Sequence, residues 1–213
     1  MKGKLETLEL EKDSVTAELL ASKALKNSNL ISQFMSGVSS PKAKVRFKSV
    51  KALKIISERA PEKLKSKWDF FKDMLKSKNN IMKWNALDIL ANLSSVVSEK
   101  QFSQIFEQFY QLLGEGSLVT AAHVVDNSAK IALAQPGLRE KIVGEILRVE
   151  EVPLPTNKCR NILAGKAIVA FDQFFKELKN KKEIIEFVKR QVKSSHQATK
   201  RKAEKFLKAC WGS

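Results

Sequence analysis

Cysteine is scarce in this chain: Cys159 and Cys210 are the only two among 213 residues. They are far apart and make no CxxC pair, which argues against a disulfide framework and a cysteine-built zinc site. Both read as buried free thiols in a reducing cytoplasm, since a free cysteine behaves as a small hydrophobe. Histidine is equally rare, and His123 and His196 lack ligand spacing. A single tyrosine leaves few aromatics to interleave with nucleic-acid bases. No apolar run approaches the ~20 residues of a membrane helix. The opening stretch MKGKLETLELEKDSV has no secretory apolar core. Walker, dinucleotide-binding, GxSxG and HExxH motifs are all missing. The expectation is a chain without cofactor, metal or membrane association.

What the chain does have is positive charge, +16 formally. Residues 42–78 carry 13 Lys/Arg against 4 Asp/Glu, and residues 176–208 carry 12 against 4. Between them, residues 84–157 hold 5 against 9. A dedicated polyanion-binding domain would more often show one continuous basic stripe.

Apolar residues recur with helical spacing nearly everywhere, and no alternating β-branched run suggests a strand. The five prolines (41, 61, 136, 153, 155) all fall between periodic segments, where a missing N–H costs no helix bond. The segment NNIMKWNALDILANLSSVV (79–97) exposes a repeat. From Ala86, steps of 39 residues reach Val125, Ala164 and Ala203. The same step takes Leu90 to Ala129, Ile168 and Leu207, and Leu93 to Ala132, Phe171 and Cys210. Upstream, a step of 37 links these columns to Ser49, Leu53 and Ile56. Five helices therefore share one buried stripe. Each is preceded by another, around residues 30–38, 64–75, 102–113, 138–149 and 184–192. A lone hairpin cannot bury its apolar face, whereas stacked hairpins bury a continuous one.

The stretches KVRFKSVKALKII (44–56) and IMKWNALDILANL (81–93) resemble the second helix of HEAT repeats, with Val45, Arg46, Ala52 and Leu53 in matching places. The resemblance spans roughly residues 28–210. It implies an all-α fold: a right-handed α-α superhelix of about five HEAT-like helical hairpins. A capping helix over about 14–26 is expected to precede them, with Asp13 or Ser14 as N-cap. Residues 1–12 are read as an irregular arm and 13–213 as one repeat domain. HEAT proteins are mostly scaffolds, so the resemblance implies a binding module for a protein or peptide, with nucleic acid as the alternative partner.

Three sets of residues are candidate sites. Trp84 and Asp88 share a helix face at i, i+4. A similar pair in HEAT-like DNA alkylation-repair glycosylases assists loss of a cationic base. Those enzymes carry Trp-Trp-Asp, and here Lys83 precedes Trp84. The simpler expectation packs Trp84 between repeats and leaves Asp88 a solvated surface residue. The second set is basic: Lys44, Lys48 and Lys51 on one helix, Lys166, and Arg201, Lys202 and Lys205 on the last. These could neutralise phosphates or attract an acidic segment, or simply be a solvated face. Third, Val124 and Leu163 stand in a row with Lys48, Asn85 and Lys202. They form either an exposed apolar strip for a partner helix or, with the register one residue off, part of the core. Gly165 is read as permitting close helix contact.

Overall fold

The computed structural model describes residues 9–211, with the side chain of Trp211 left out. Of the expected arm, residues 1–8 lie outside this range. The described residues are helical and contain no strand. They divide into two compact units, residues 1–97 and 98–213.

The first unit contains α1 (Ala17–Lys26), α2 (Asn29–Val38), α3 (Ala43–Arg59), α4 (Trp68–Met74) and α5 (Asn80–Leu93). Helix α2 packs on α3 and α4 on α5, so each first helix pairs with the second helix that follows. The second helices α3 and α5 then lie against each other, and α1 covers the other flank of α3. The second unit contains α6 (Glu99–Ser103), α7 (Phe106–Gln111), α8 (Leu118–Ala134), α9 (Arg139–Leu147), α10 (Asn157–Phe174), α11 (Lys182–Gln191) and α12 (Gln197–Trp211). Here α8, α10 and α12 stack in that order.

Side-chain caps fix where several helices start. Asn79 Oδ1 accepts from the Ile81 and Met82 N–H groups, Ser117 Oγ from Thr120 and Thr156 Oγ1 from Cys159. Each satisfies donors that the first turn leaves open. The first helix starts later than expected. Thr16, not Asp13 or Ser14, caps it by accepting from the Leu19 N–H. Asp13 is engaged instead by Lys44 at 2.5 Å.

The repeat columns are interior seats. Ser49, Ala86, Val125 and Ala203 are fully buried, as are Leu53, Leu90 and Ala129, and Ile56, Leu93, Ala132 and Phe171. Only at the last step does burial weaken, where Leu207 and Cys210 are half-buried. Neither cysteine is fully buried, contrary to expectation, and both are free. Small seats let backbones approach. At Gly165 a Cβ would come within 2.5 Å of Thr199 Oγ1, so α10 and α12 meet there only because the side chain is absent.

The first helices differ from the sequence expectation. Residues 102–113, expected as one helix, are split among α6, α7 and a 3₁₀ turn at Leu112–Gly114. The Ile105 N–H donates to Phe102 O, a tighter bond than the α-helical one. No proline or glycine marks that break. It accompanies the packing of Phe102, Phe106, Phe109 and Tyr110, whose rings approach to between 4.6 and 6.0 Å.

Candidate binding surfaces

In the first unit the basic row of α3 is already engaged. Lys44 pairs with Asp13 and Lys51 with Glu18 at 2.9 Å, while Lys48 Nζ donates to the Lys12 carbonyl at 2.6 Å. Next to them Lys42 pairs with Glu11 and Lys23 with Glu9, both at 2.8 Å. Residues 9–18 thus form an acidic strap across the cations of α3. The hydrogen bond and charge of Lys44 hold the Asp13 carboxyl below its ordinary 3.8. For Glu18 the Lys51 hydrogen bond is the largest cause, followed by its own backbone N–H, and its carboxyl lies below 4.5. Burial, then the charge of Lys44, lowers Lys48.

Asp88 is buried, at 6% exposure, rather than solvated. Lys54 of α3 reaches its carboxylate at 2.5 Å, so the pair ties α3 to α5. Trp84 is half-buried on the same helix. A carboxylate held by an ammonium and closed off from water is poorly placed to meet a cationic base in solvent. Beside it lies an open groove of about 710 Å³, lined by Phe47, Val50, Lys51, Lys54, Ile81 and Asn85 among others.

In the second unit burial decides between the two alternatives for Val124 and Leu163. Val124 and Leu163 are fully buried, so they belong to the core and offer nothing to a partner. The row through Lys48 runs along the edge of the buried arc. A lysine at that edge can extend its ammonium to an acceptor, whereas a valine or leucine goes inward. Other apolar residues face out instead. Val119 and Leu133 on α8 are 46% and 47% exposed, and Val169 on α10 is 43% exposed. Lys166 of α10 pairs with Asp126 of α8 at 2.5 Å, which sets the two exposed arcs side by side. His123 on α8 is half-buried.

The sequence columns gave little warning of these residues, since the column of Val169 also holds the buried Ala91. Val169 stands in a column with Lys54, Ala91, Lys130 and Lys208, and Val119 one step from Lys158.

On α12, Arg201, Lys202, Lys205 and Lys208 are all exposed. The helix's one acid, Glu204, approaches Lys200 at 4.0 Å. None of the four cations has an acidic or carbonyl partner among the described residues. The two basic clusters, alike in sequence, are therefore unlike in structure: one is compensated internally and the other is not. Among the described residues, no three His, Cys, Asp or Glu side chains come together to hold a metal ion, and no helix is long and apolar enough to cross a membrane.

No protein-family model and no curated protein matches the chain. Solved structures do. A designed armadillo repeat protein aligns over 97% of this chain and 92% of its own, with a TM-score of 0.60 at 16% identity. An engineered protein aligns over 97% and 88%, with a TM-score of 0.55 and again 16% identity. Likeness at this level of identity shows the fold alone. The chain has an all-α, armadillo-like helical-repeat fold of the α-α superhelix class.

Proposed function

We propose that this chain is a non-enzymatic binding module that holds a protein or peptide partner on the second-helix face of its C-terminal unit. One observation carries the reading: Val119, Leu133 and Val169 stand exposed on arcs joined by the Asp126–Lys166 pair. Exposed apolar side chains rimmed by charge are the usual make-up of a protein-docking face. The armadillo-like fold is compatible with a binding scaffold. A base-excising enzyme is disfavoured because Asp88 is occupied by Lys54. Cys159 and Cys210 are both free, in keeping with a reducing compartment, and we place the protein in the cytoplasm.

Nucleic acid is the second reading, and the uncompensated cations of α12 are what favour it. Against it, Lys44, Lys48 and Lys51 already have partners, and the only tyrosine, Tyr110, is buried. Display selection of peptides against the full chain separates the readings. Selected peptides should lose at least tenfold in affinity to Val169→Asp or Leu133→Asp variants with unchanged helicity, and should keep most of it as salt rises. Peptides indifferent to both substitutions would sink the proposal. Duplex binding with a steep salt slope would replace it with the nucleic-acid reading.

A further inference from the structure

Helices α3 and α12 are the same element of the repeat, offset by the summed steps between them. Ser49 and Ala203 occupy the same seat and are both fully buried. Val45 and Thr199 correspond and are buried, as do Ala52 and Phe206. With the register fixed, Lys48, Lys51 and Lys54 correspond to Lys202, Lys205 and Lys208. One lysine triplet thus occurs twice in equivalent positions.

The two copies are treated differently. On α3 every member has an acceptor: Lys48 the Lys12 carbonyl, Lys51 the Glu18 carboxylate and Lys54 the Asp88 carboxylate. The first lies on the segment that leads into α1, the second in the first turn of α1 and the third on α5. On α12 the equivalent ammonium groups, with Arg201 beside them, point into solvent without a partner among the described residues. From Lys202 to Lys208 the helix rises about 9 Å. That length suits a short segment carrying two or three carboxylates.

We propose that this face of α12 docks an acidic segment of a partner protein, which supplies the acceptors that the chain itself supplies to α3. The inference rests on the protein-binding reading and gives that partner its chemistry. The favoured occupant is an acidic protein segment because Lys51 and Lys54, the counterparts of Lys205 and Lys208, are already met by the protein carboxylates Glu18 and Asp88. Aromatic side chains that would stack bases do not accompany the triplet.

The test uses the full chain and a labelled peptide of sequence ELEKDSVTAELL, the chain's own residues 9–20. Its comparison peptide has every Glu and Asp replaced by Gln and Asn. Anisotropy should show binding of the acidic peptide only. The Lys202→Glu/Lys205→Glu/Lys208→Glu variant should weaken it at least tenfold. A charge-matched variant, Lys63→Glu/Lys65→Glu/Lys67→Glu, should leave it within twofold. Circular dichroism confirms that both variants remain helical; all six positions lie outside the fully buried set.

No binding of the acidic peptide, equal loss in both variants, or binding of a twelve-base-pair duplex through the same lysines in preference to the peptide would each overturn the inference. Self-association of the free chain abolished by the α12 reversal would also overturn it, because the occupant would then be a second copy. Display-selected peptides that depend on Val169 but not on the α12 lysines would leave the binding-module reading standing while this inference fell.

Discussion

At the scale of single residues, two buried positions show how packing turns chemistry into stability. Tyr110 lies wholly inside the second unit, where its hydroxyl donates to Ser128 Oγ at 3.1 Å. Ser128 in turn donates to Val124 O at 2.8 Å. Burial is the main cause that raises the Tyr110 pKa far above its ordinary 10.0, outweighing the Ser128 hydrogen bond. The folded state therefore holds the proton when the unfolded chain would release it. This contribution is complete below about pH 10 and declines as pH rises above it. A Tyr110→Phe variant should be about 1 kcal/mol less stable at pH 7. Its urea midpoint should also fall less steeply between pH 9.5 and 11 than that of the wild type, and parallel alkaline limbs would contradict the argument. Gly165 makes the complementary case. A Gly165→Val substitution drives a branched side chain into Thr199, which also donates to Asn161 O at 2.6 Å. Overpacking of this kind costs about 1–3 kcal/mol, so the thermal midpoint should drop measurably while Gly144→Val, where nothing lies nearby, should not show that steric loss. The close-contact role of Gly165 was legible from the residue type alone, a glycine inside a second helix, since its column of Leu87, Asp126 and Glu204 does not call for a small residue. The buried state of Asp88 was not, because nothing near it in sequence reveals that Lys54 would arrive from the preceding second helix.

At the scale of elements, the strap over α3 is an assembly of surface ion pairs, each of small worth singly. Asp13 and Glu18 both titrate below their ordinary values. Their pairing is complete above those ordinary values and is lost as pH falls through the lowered ones. Amide exchange in residues 10–18 should accelerate as pH drops from 6 to 3, once corrected for intrinsic rates. Asp13→Asn/Glu18→Gln should show the faster exchange already at pH 6. Protection that is insensitive to both acid and substitution would mean that Leu10, buried at 3% exposure, holds the strap alone. The second helices were readable from sequence because their seats repeat at steps of 37 and then 39 residues and three of their starts carry Asn79, Ser117 and Thr156. The first helices were less so. Their aromatic cores are set by tertiary packing, and 3₁₀ turns enter without a glycine or proline to announce them. The strap escaped for a different reason: a charged segment before the first repeat has no periodicity to read, and its partners lie tens of residues away.

At the scale of the whole molecule, the excess of +16 is a self-repulsion that every folded contact must offset. Its distribution makes the response to salt regional. Around α3 the cations meet Glu9, Glu11, Asp13, Glu18 and Asp88, so the net local interaction is attractive. Around α12 the cations Arg201, Lys202, Lys205 and Lys208 face one another with Glu204 as the helix's sole acid, so the net interaction is repulsive. The Debye length falls from about 30 Å at 0.01 M salt to about 3 Å at 1 M. Added salt should therefore loosen the strap and firm up α12. Hydrogen exchange by mass spectrometry, compared at 20 mM and 500 mM sodium chloride, should show faster exchange in residues 10–18 and slower exchange in residues 197–210. Repeat proteins favour such a split, because each hairpin is stabilised by its own neighbours and local free energies differ along the chain. The same columns that revealed the fold fix where the charges sit, yet composition counts the two clusters as equals. Only pairing distances separate them, and a uniform salt response across both segments would show that the distinction has no energetic weight.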